Sequence, residues 1–231
     1  MTRILAIETA TEACSAALLI DGELRERYEL APRRHAMLIL PFIDALLHEA
    51  DLKPQQLDAV AFGRGPGSFT GLRIAAGIAQ GIAFGADLPV VSVSTLAALA
   101  LTALQKQDGD AVLAAIDARM QEVYWGVYRR TGEHLVELIG AERVCAAAAV
   151  PLPEADAQID TWIGAGTGWG SYGEVLGTRC GTPQRIYADC YPRAAAVAAL
   201  GEALFQQGLA VPAQQAIPVY LRDNVANKPG A

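Results

Sequence analysis

The residues best spaced for chemistry lie between Gly63 and Arg73, which read G-R-G-P-G-S-F-T-G-L-R. Glycines in such a run let backbone N–H groups approach a phosphate, or let two stretches of chain approach closely. The familiar phosphate signatures are absent. A P-loop needs a lysine, and none occurs from Pro54 to Gln105. A dinucleotide fingerprint started at Gly63 meets Ser68, and one started at Gly65 meets Thr70. A nucleophile elbow around Ser68 finds Pro66 and Thr70 where it needs glycines. Ser68 or Thr70 can instead cap a helix. The loop is therefore either an anion cradle built on Gly65, Gly67 and Ser68, or a close-contact turn.

Other reactive groups are scattered. Glu8 and Asp117 end apolar runs but have no histidine nearby in sequence. His35, His48 and His134 are not at the i, i+4 spacing of helical metal ligands, so no metal site and no cofactor is expected. Cys14, Cys145, Cys180 and Cys190 include no C-x-x-C pair and read as buried thiols in a reducing compartment. No catalytic residue can be assigned. The net charge of −7 argues against a basic face that grips nucleic acid unaided. No charged and apolar leader opens the sequence, which points to a cytoplasmic chain. The apolar stretch Leu88–Leu104 is broken by a proline and hydroxyls, so it reads as strand plus helix rather than membrane span.

These residues need elements to hold them. At 231 residues, 52% hydrophobic, the chain is one large domain or two small ones. The N-terminal run I-L-A-I-E-T-A-T-E-A-C-S-A-A-L-L-I-D-G predicts a strand, a tight bend at Glu8-Thr9, a second strand and an Asp21-Gly22 turn. The pattern recurs at L-A-A-I-D-A-R-M-Q-E-V-Y-W-G-V-Y-R-R-T-G. There Ile116-Asp117 corresponds to Ile7-Glu8, Val127-Tyr128 to Leu18-Leu19, and Thr131-Gly132 to the turn. The spacing predicts two similar halves, 1–107 and 108–231, the second carrying a C-terminal helix and tail.

Helices are expected over Arg33–Ala50, Thr70–Phe84, Ser94–Gln105 and, bracketed by Pro192 and Gly208, near the C-terminus. Short strands are expected at Asp58–Phe62 and Pro89–Val93. A strand at Thr161–Ile163 leads into G-A-G-T-G-W-G, whose Gly164 and Gly166 are a second glycine-loop candidate. Trp169 there stacks on a base or fills a gap. Residues 150–160 read as a surface loop, and the tail 217–231 packs back before fraying. The helix after the first glycine loop carries small residues at Gly77, Gly81 and Gly85 and is nearly uncharged. Such a helix is buried all round or covered by a partner. The helix from Arg33, with Met37 and Leu40, is its natural neighbour.

Together the N-terminal run, the G-R-G-P-G-S-F-T-G-L-R loop and the terminal P-V-Y-L-R resemble the TsaB (YeaZ) family over essentially the whole chain. The resemblance implies an α/β, actin-like ATPase (ribonuclease H-like) fold of two duplicated mixed-sheet subdomains with helices. It also implies a non-catalytic role. TsaB proteins partner TsaD, with TsaE in the larger complex, in adding threonylcarbamoyl to adenosine 37 of tRNAs that read codons beginning with A. In TsaD, two histidines four apart bind metal. The corresponding positions here are Thr95 and Leu99, and leucine cannot ligate. The second acidic bend reads Asp117-Ala118-Arg119-Met120, bulky where phosphate would lie, so ATP binding by the chain alone is expected to be weak or absent. A partner interface is expected at His35, Met37, Leu40, Leu72, Arg73, Ile74, Gly77, Ile78 and Gly81, through which the chain alone would form a homodimer. Glu8, Thr9, Gly65, Gly67, Ser68, Gly164 and Gly166 would be a vestigial nucleotide or anion site. Contact with tRNA would be indirect, and no membrane is involved. The same fold also hosts metallopeptidase-like proteins and chaperone-type ATPases, the alternative class.

Overall fold

The computed structural model describes residues 2–152 and 159–222. Residues 153–158 of the expected surface loop and 223–231 of the tail lie outside the described residues. The chain opens with a meander of β1 (Arg3–Glu8), β2 (Ala13–Ile20) and β3 (Glu23–Leu30). Asp21 and Gly22, at φ 50° and 88°, make the turn between β2 and β3. Both residue types tolerate that left-handed conformation. Then follow α1 (His35–Glu49), β4 (Ala59–Gly65), α2 (Phe69–Ala86), β5 (Val90–Ser94) and α3 (Thr95–Lys106). The first sheet runs β3-β2-β1-β4-β5, with β1, β4 and β5 parallel.

The second half repeats this plan. Its strands are β6 (Ala111–Asp117), β7 (Glu122–Gly132), β8 (Leu135–Ala146), β9 (Trp162–Ala165) and β10 (Arg185–Tyr187). Helix α4 (Thr167–Cys180) joins β9 to β10, and the sheet order β10-β9-β6-β7-β8 is that of the first sheet. Two details differ from the sequence alignment of the halves. Leu18 lies opposite Leu5, three residues before Glu8, but Val127 lies opposite Leu113, four before Asp117. The hairpin turn falls at Glu133-His134, because Gly132 pairs with Leu135 after an irregularity at Arg130. A bulge of this kind moves a turn without breaking a sheet.

Alternation along each first strand feeds two cores. Leu5 and Ile7 face α1 and α2, while Ile4 and Ala6 face the opposite side. Likewise Val112, Ala114 and Ile116 face α3, and Leu113 and Ala115 face α4. Helix α3 lies between the sheets: Ala98 and Leu101 join the core around Ile4 and Ala6, and Leu96, Leu99 and Ala100 join that around Val112 and Ala114.

The last helix crosses over the division expected at residues 107 and 108. Helix α5 (Ala194–Gln206) follows the second sheet but packs on the first, with Ala194, Ala196 and Val197 against the core of Ile4, Ala6 and Ala17. Gly201 permits this, since a Cβ there would stand 2.8 Å from that of Ala61. Val211 then exchanges backbone hydrogen bonds with Val90. The far face of the first sheet needs an apolar cover, and α5 supplies it. Helix α5 and Val211, expected within 108–231, thus pack on the first sheet.

Candidate functional site

The bend after β1 and the glycine loop after β4 pack against each other. Glu8 is fully buried. Its Oε1 accepts from the Ala10 N–H at 2.7 Å and its Oε2 from the Thr95 hydroxyl at 3.3 Å. Thr95 in turn accepts from the Gly65 N–H at 3.2 Å. Burial pushes the Glu8 carboxyl up from the usual 4.5 to about 7, against the lowering pull of the Ala10 and Thr95 hydrogen bonds. The Thr9 hydroxyl donates to the Gly71 carbonyl at 2.7 Å, and the Ser68 N–H donates to the Ala10 carbonyl at 2.7 Å.

Three glycines of the loop, Gly63, Gly67 and Gly71, are required by this contact, and Gly65 by the tail. A Cβ at Gly63 would stand 1.9 Å from Glu8 Oε2, at Gly67 2.5 Å from the Ala10 carbonyl, and at Gly71 2.0 Å from the Thr9 carbonyl. At Gly65, where φ is 109°, it would stand 2.7 Å from the Val219 carbonyl. Of the two readings of the loop, the close-contact turn is the one built here. Ser68 caps α2, its hydroxyl accepting from the Gly71 N–H. Glu8, Thr9, Gly65, Gly67 and Ser68 are therefore brought together, but the carboxylate and the Ser68 N–H are consumed internally.

Gly164 and Gly166 lie apart, in the second half. Trp169 lies over Gly164 and is buried, its indole N–H donating to the Leu113 carbonyl at 2.8 Å. Of its two readings, gap-filling is the one observed. Gly166 and Gly168 back onto Ala115, and the Gly166 N–H donates to Tyr187. Asp117 is tied up as well. Its carboxylate accepts from the Arg119 N–H at 2.8 Å, Ser171 at 3.1 Å and Tyr172 at 3.2 Å. Thr95 is hydrogen-bonded and Leu99 lies in the core between α3 and the second sheet. Among the described residues, no group of three His, Cys, Asp or Glu side chains could hold a metal ion.

The halves meet across a cleft of about 570 Å³. The N-terminal ends of α1 and α2 contribute His35 and Phe69, the second half contributes Asp117, Arg119 and Tyr124, and the tail contributes Tyr220 and Arg222. Among the described residues, the tail is fastened at two points. The Val219 N–H donates to the Arg64 carbonyl at 2.7 Å, and Arg222 pairs with Glu122.

The outer faces of α1 and α2 carry most of the expected interface. Met37 is 73% and Leu40 53% exposed. Arg73, Gly77 and Gly81 are exposed, and Ile74 and Ile78 are half-buried against the first core. Nothing lies within 4 Å of where a Cβ would stand at Gly77, Gly81 or Gly85. His35 and Leu72 depart from the expectation. Both are buried and line the cleft, because α1 and α2 begin there and turn these positions inward. Phe69 and Phe84, both exposed on α2, were missed by sequence reasoning. Their spacing from Gly77 marks the same stripe: Phe69, Arg73, Gly77, Gly81, Phe84.

Two five-stranded sheets of one order, each with an acidic residue at the end of its first strand, make this an actin-like (ribonuclease H-like) α/β protein. A family model described as "TsaD: tRNA N6-adenosine threonylcarbamoyltransferase" matches residues 28–229. The TsaB protein of Escherichia coli K12, named for tRNA threonylcarbamoyladenosine biosynthesis, is 43% identical over 227 residues, 98% of this chain and 97% of that protein. Its Haemophilus influenzae counterpart is 41% identical over 241 residues, covering 97% and 95%. The solved structure of YeaZ from Pseudomonas aeruginosa superposes with a TM-score of 0.89 at 46% identity, covering 96% of this chain and all of that one. The chain belongs to the TsaB (YeaZ) family.

Proposed function

We propose that this chain is a non-catalytic scaffold subunit in tRNA threonylcarbamoyladenosine synthesis. It pairs with TsaD through α1 and α2, and with TsaE the assembly adds threonylcarbamoyl to adenosine 37 of tRNAs reading codons that begin with A. Chemistry and most tRNA contact lie on TsaD, and the work is cytoplasmic. The observation that carries the reading is the exposed small-residue and apolar face of α1 and α2. Helix α2 is long and apolar enough by length and composition to cross a membrane. Its Ala75, Ala79 and Ala83 pack on the sheet inside a β-α-β unit, so we read its outer apolarity as a protein-docking face. Left alone, the same face pairs with a second copy.

Neither acidic strand end supports the metallopeptidase or ATPase alternative. Glu8 is sealed beneath Gly63, and Asp117 is consumed by Arg119, Ser171 and Tyr172. Glu8, Thr9, Gly65, Gly67 and Ser68 are on this reading a closed remnant of a nucleotide site. Titration calorimetry of the isolated chain with ATP is expected to give weak heat or none.

The decisive experiment is co-purification with TsaD. Gly77 and Gly81 are better probes than Ile74 and Ile78, which also support the core. G77E or G81E is expected to abolish pairing, with a thermal midpoint near the parent's. Undiminished pairing by the folded double variant overturns the interface.

A further inference from the structure

The P-V-Y-L-R motif at residues 218–222 lies outside α1 and α2 and has a place of its own in the fold. The tail is anchored just upstream of it. Ala213 and Ala216 are buried in the core that α1 and α2 cover, and Val211 exchanges two backbone hydrogen bonds with Val90. From Ile217 onward the packing changes. None of residues 217–222 is buried, and none lies in a helix or strand. Ile217 is 65% exposed. Among the described residues, the one backbone–backbone hydrogen bond of this segment runs from the Val219 N–H to the Arg64 carbonyl. At one end the Tyr220 hydroxyl accepts from Arg73 Nε, and its ring lies 5.5 Å from that of Phe69, both on α2. At the other end Arg222 pairs with Glu122 of the second half.

We infer that residues 217–222 form a strap that opens and closes as one piece over the cleft between the halves. Closed, the strap is part of the cleft wall, which Val219, Tyr220, Leu221 and Arg222 all line. It lies close over the glycine loop, where the Val219 carbonyl is 2.7 Å from the position of a Cβ on Gly65. Opening removes that wall and bares the loop backbone beneath it. The fasteners are few. Exposed hydrogen bonds and ion pairs each contribute little net stability, so the segment opens far more readily than the molecule unfolds. One fastener belongs to α2 and the other to the second half. The strap therefore ties the outer end of α2 to the cleft, and loosening either end opens both.

Amide hydrogen exchange of the full-length protein, read residue by residue by NMR, tests this. The Val219 N–H reports the strap through its bond to Arg64, and the Val211 N–H reports the anchor through its bond to Val90. Val219 is expected to be protected when the strap is closed. It should nevertheless exchange roughly a hundredfold or more faster than the amides of β1, at a rate insensitive to low urea. The β1 amides, which need global unfolding, should quicken as urea is added.

Two substitutions loosen the strap from opposite ends. Glu122→Gln weakens the pair with Arg222, and Tyr220→Phe removes the bond to Arg73. Neither residue is buried, so the fold should survive both. Each is expected to speed Val219 exchange roughly two- to fivefold, and the factors should multiply in the double variant. Val211 and the β1 amides should keep the parent's rates. Four outcomes overturn the proposal. One is a Val219 N–H without protection, which would mean no closed state. Another is Val219 exchange that follows urea in step with β1. The third is an unchanged Val219 rate in the folded double variant. The fourth is a response to only one of the two substitutions, which would mean that the ends move separately.

Discussion

Glu8 is a fully buried carboxyl at the end of β1, with Gly63 packed over it. With its pKa raised to about 7, the folded chain holds the Glu8 proton more tightly than the unfolded chain does. That contribution is complete below about pH 4.5 and is lost as pH rises through about 7. From pH 5 to pH 8 it removes on the order of 3 kcal/mol of stability. Denaturant unfolding at both pH values is expected to show this fall in the parent and a flatter profile in Glu8→Gln. Equal profiles would mean that the carboxyl is solvated. The loop glycines make a second test at this scale. Gly71→Ala drives a Cβ to 2.0 Å from the Thr9 carbonyl, a backbone clash without a flexible neighbour to yield. It should cost about 2–3 kcal/mol in chemical unfolding.

At the scale of the element, α2 is two helices in one. Its inner face, Ala75, Ala79 and Ala83, is fully buried and lets the helix lie close to the sheet. Its outer face carries glycines at positions where a helix gains nothing from them. Gly77→Ala puts a methyl into open space, so the isolated chain should be stabilised by about 0.5–1 kcal/mol. On the proposed reading, that space is reserved for a docked partner. If TsaD occupies it, the same substitution should weaken co-purification while raising the thermal midpoint. A gain in stability with unchanged pairing would leave the glycines without a docking role. At the N-terminal end of this face the Arg73 guanidinium lies 3.8 Å over the Phe69 ring, and its Nε donates to the Tyr220 hydroxyl at 3.3 Å. The Gln80 amide donates to the Ala216 carbonyl at 3.0 Å. The tail thus braces the helix that it crosses.

Across the whole molecule, the halves are joined by more than α3. Tyr128 and Glu142 of the second half meet Ser94 of the first in one hydrogen-bonded cluster, and Arg64 stands 3.8 Å from the Glu142 carboxylate. Burial, with the Glu142 charge beside it, pushes the Tyr128 hydroxyl well above its ordinary pKa, so it remains a donor. Tyr128→Phe leaves Glu142 short of one donor in a largely buried setting and should cost about 1–3 kcal/mol. If the proposed α1–α2 face carries pairing with TsaD, that pairing should be unaffected. A variant as stable as the parent would show the cluster to be dispensable for holding the halves together.

Much of this was legible in the amino-acid order, because it depends on local pattern. Strand alternation, the Asp21-Gly22 turn, Ser68 and Ser94 as caps, and the repeat of Ile7-Glu8 at Ile116-Asp117 each need only a few neighbouring residues. The boundaries of α1, α2 and α3 fall within about two residues of the sequence expectation for the same reason. What no local pattern contains is which surfaces meet. The glycine loop could have faced an anion or a piece of chain, and the Thr9-Ala10 carbonyls settled it at a range of about sixty residues in sequence. Trp169 could have stacked on a ligand, but Gly164 left room for it in the core. His35 and Met37 are two residues apart on one helix, yet one is buried at the cleft and the other is exposed on the outer face. Helix α5 carries no mark saying that it belongs to the first sheet. These outcomes rest on long-range packing, where the burial of apolar area chooses among partners that the local sequence leaves equivalent.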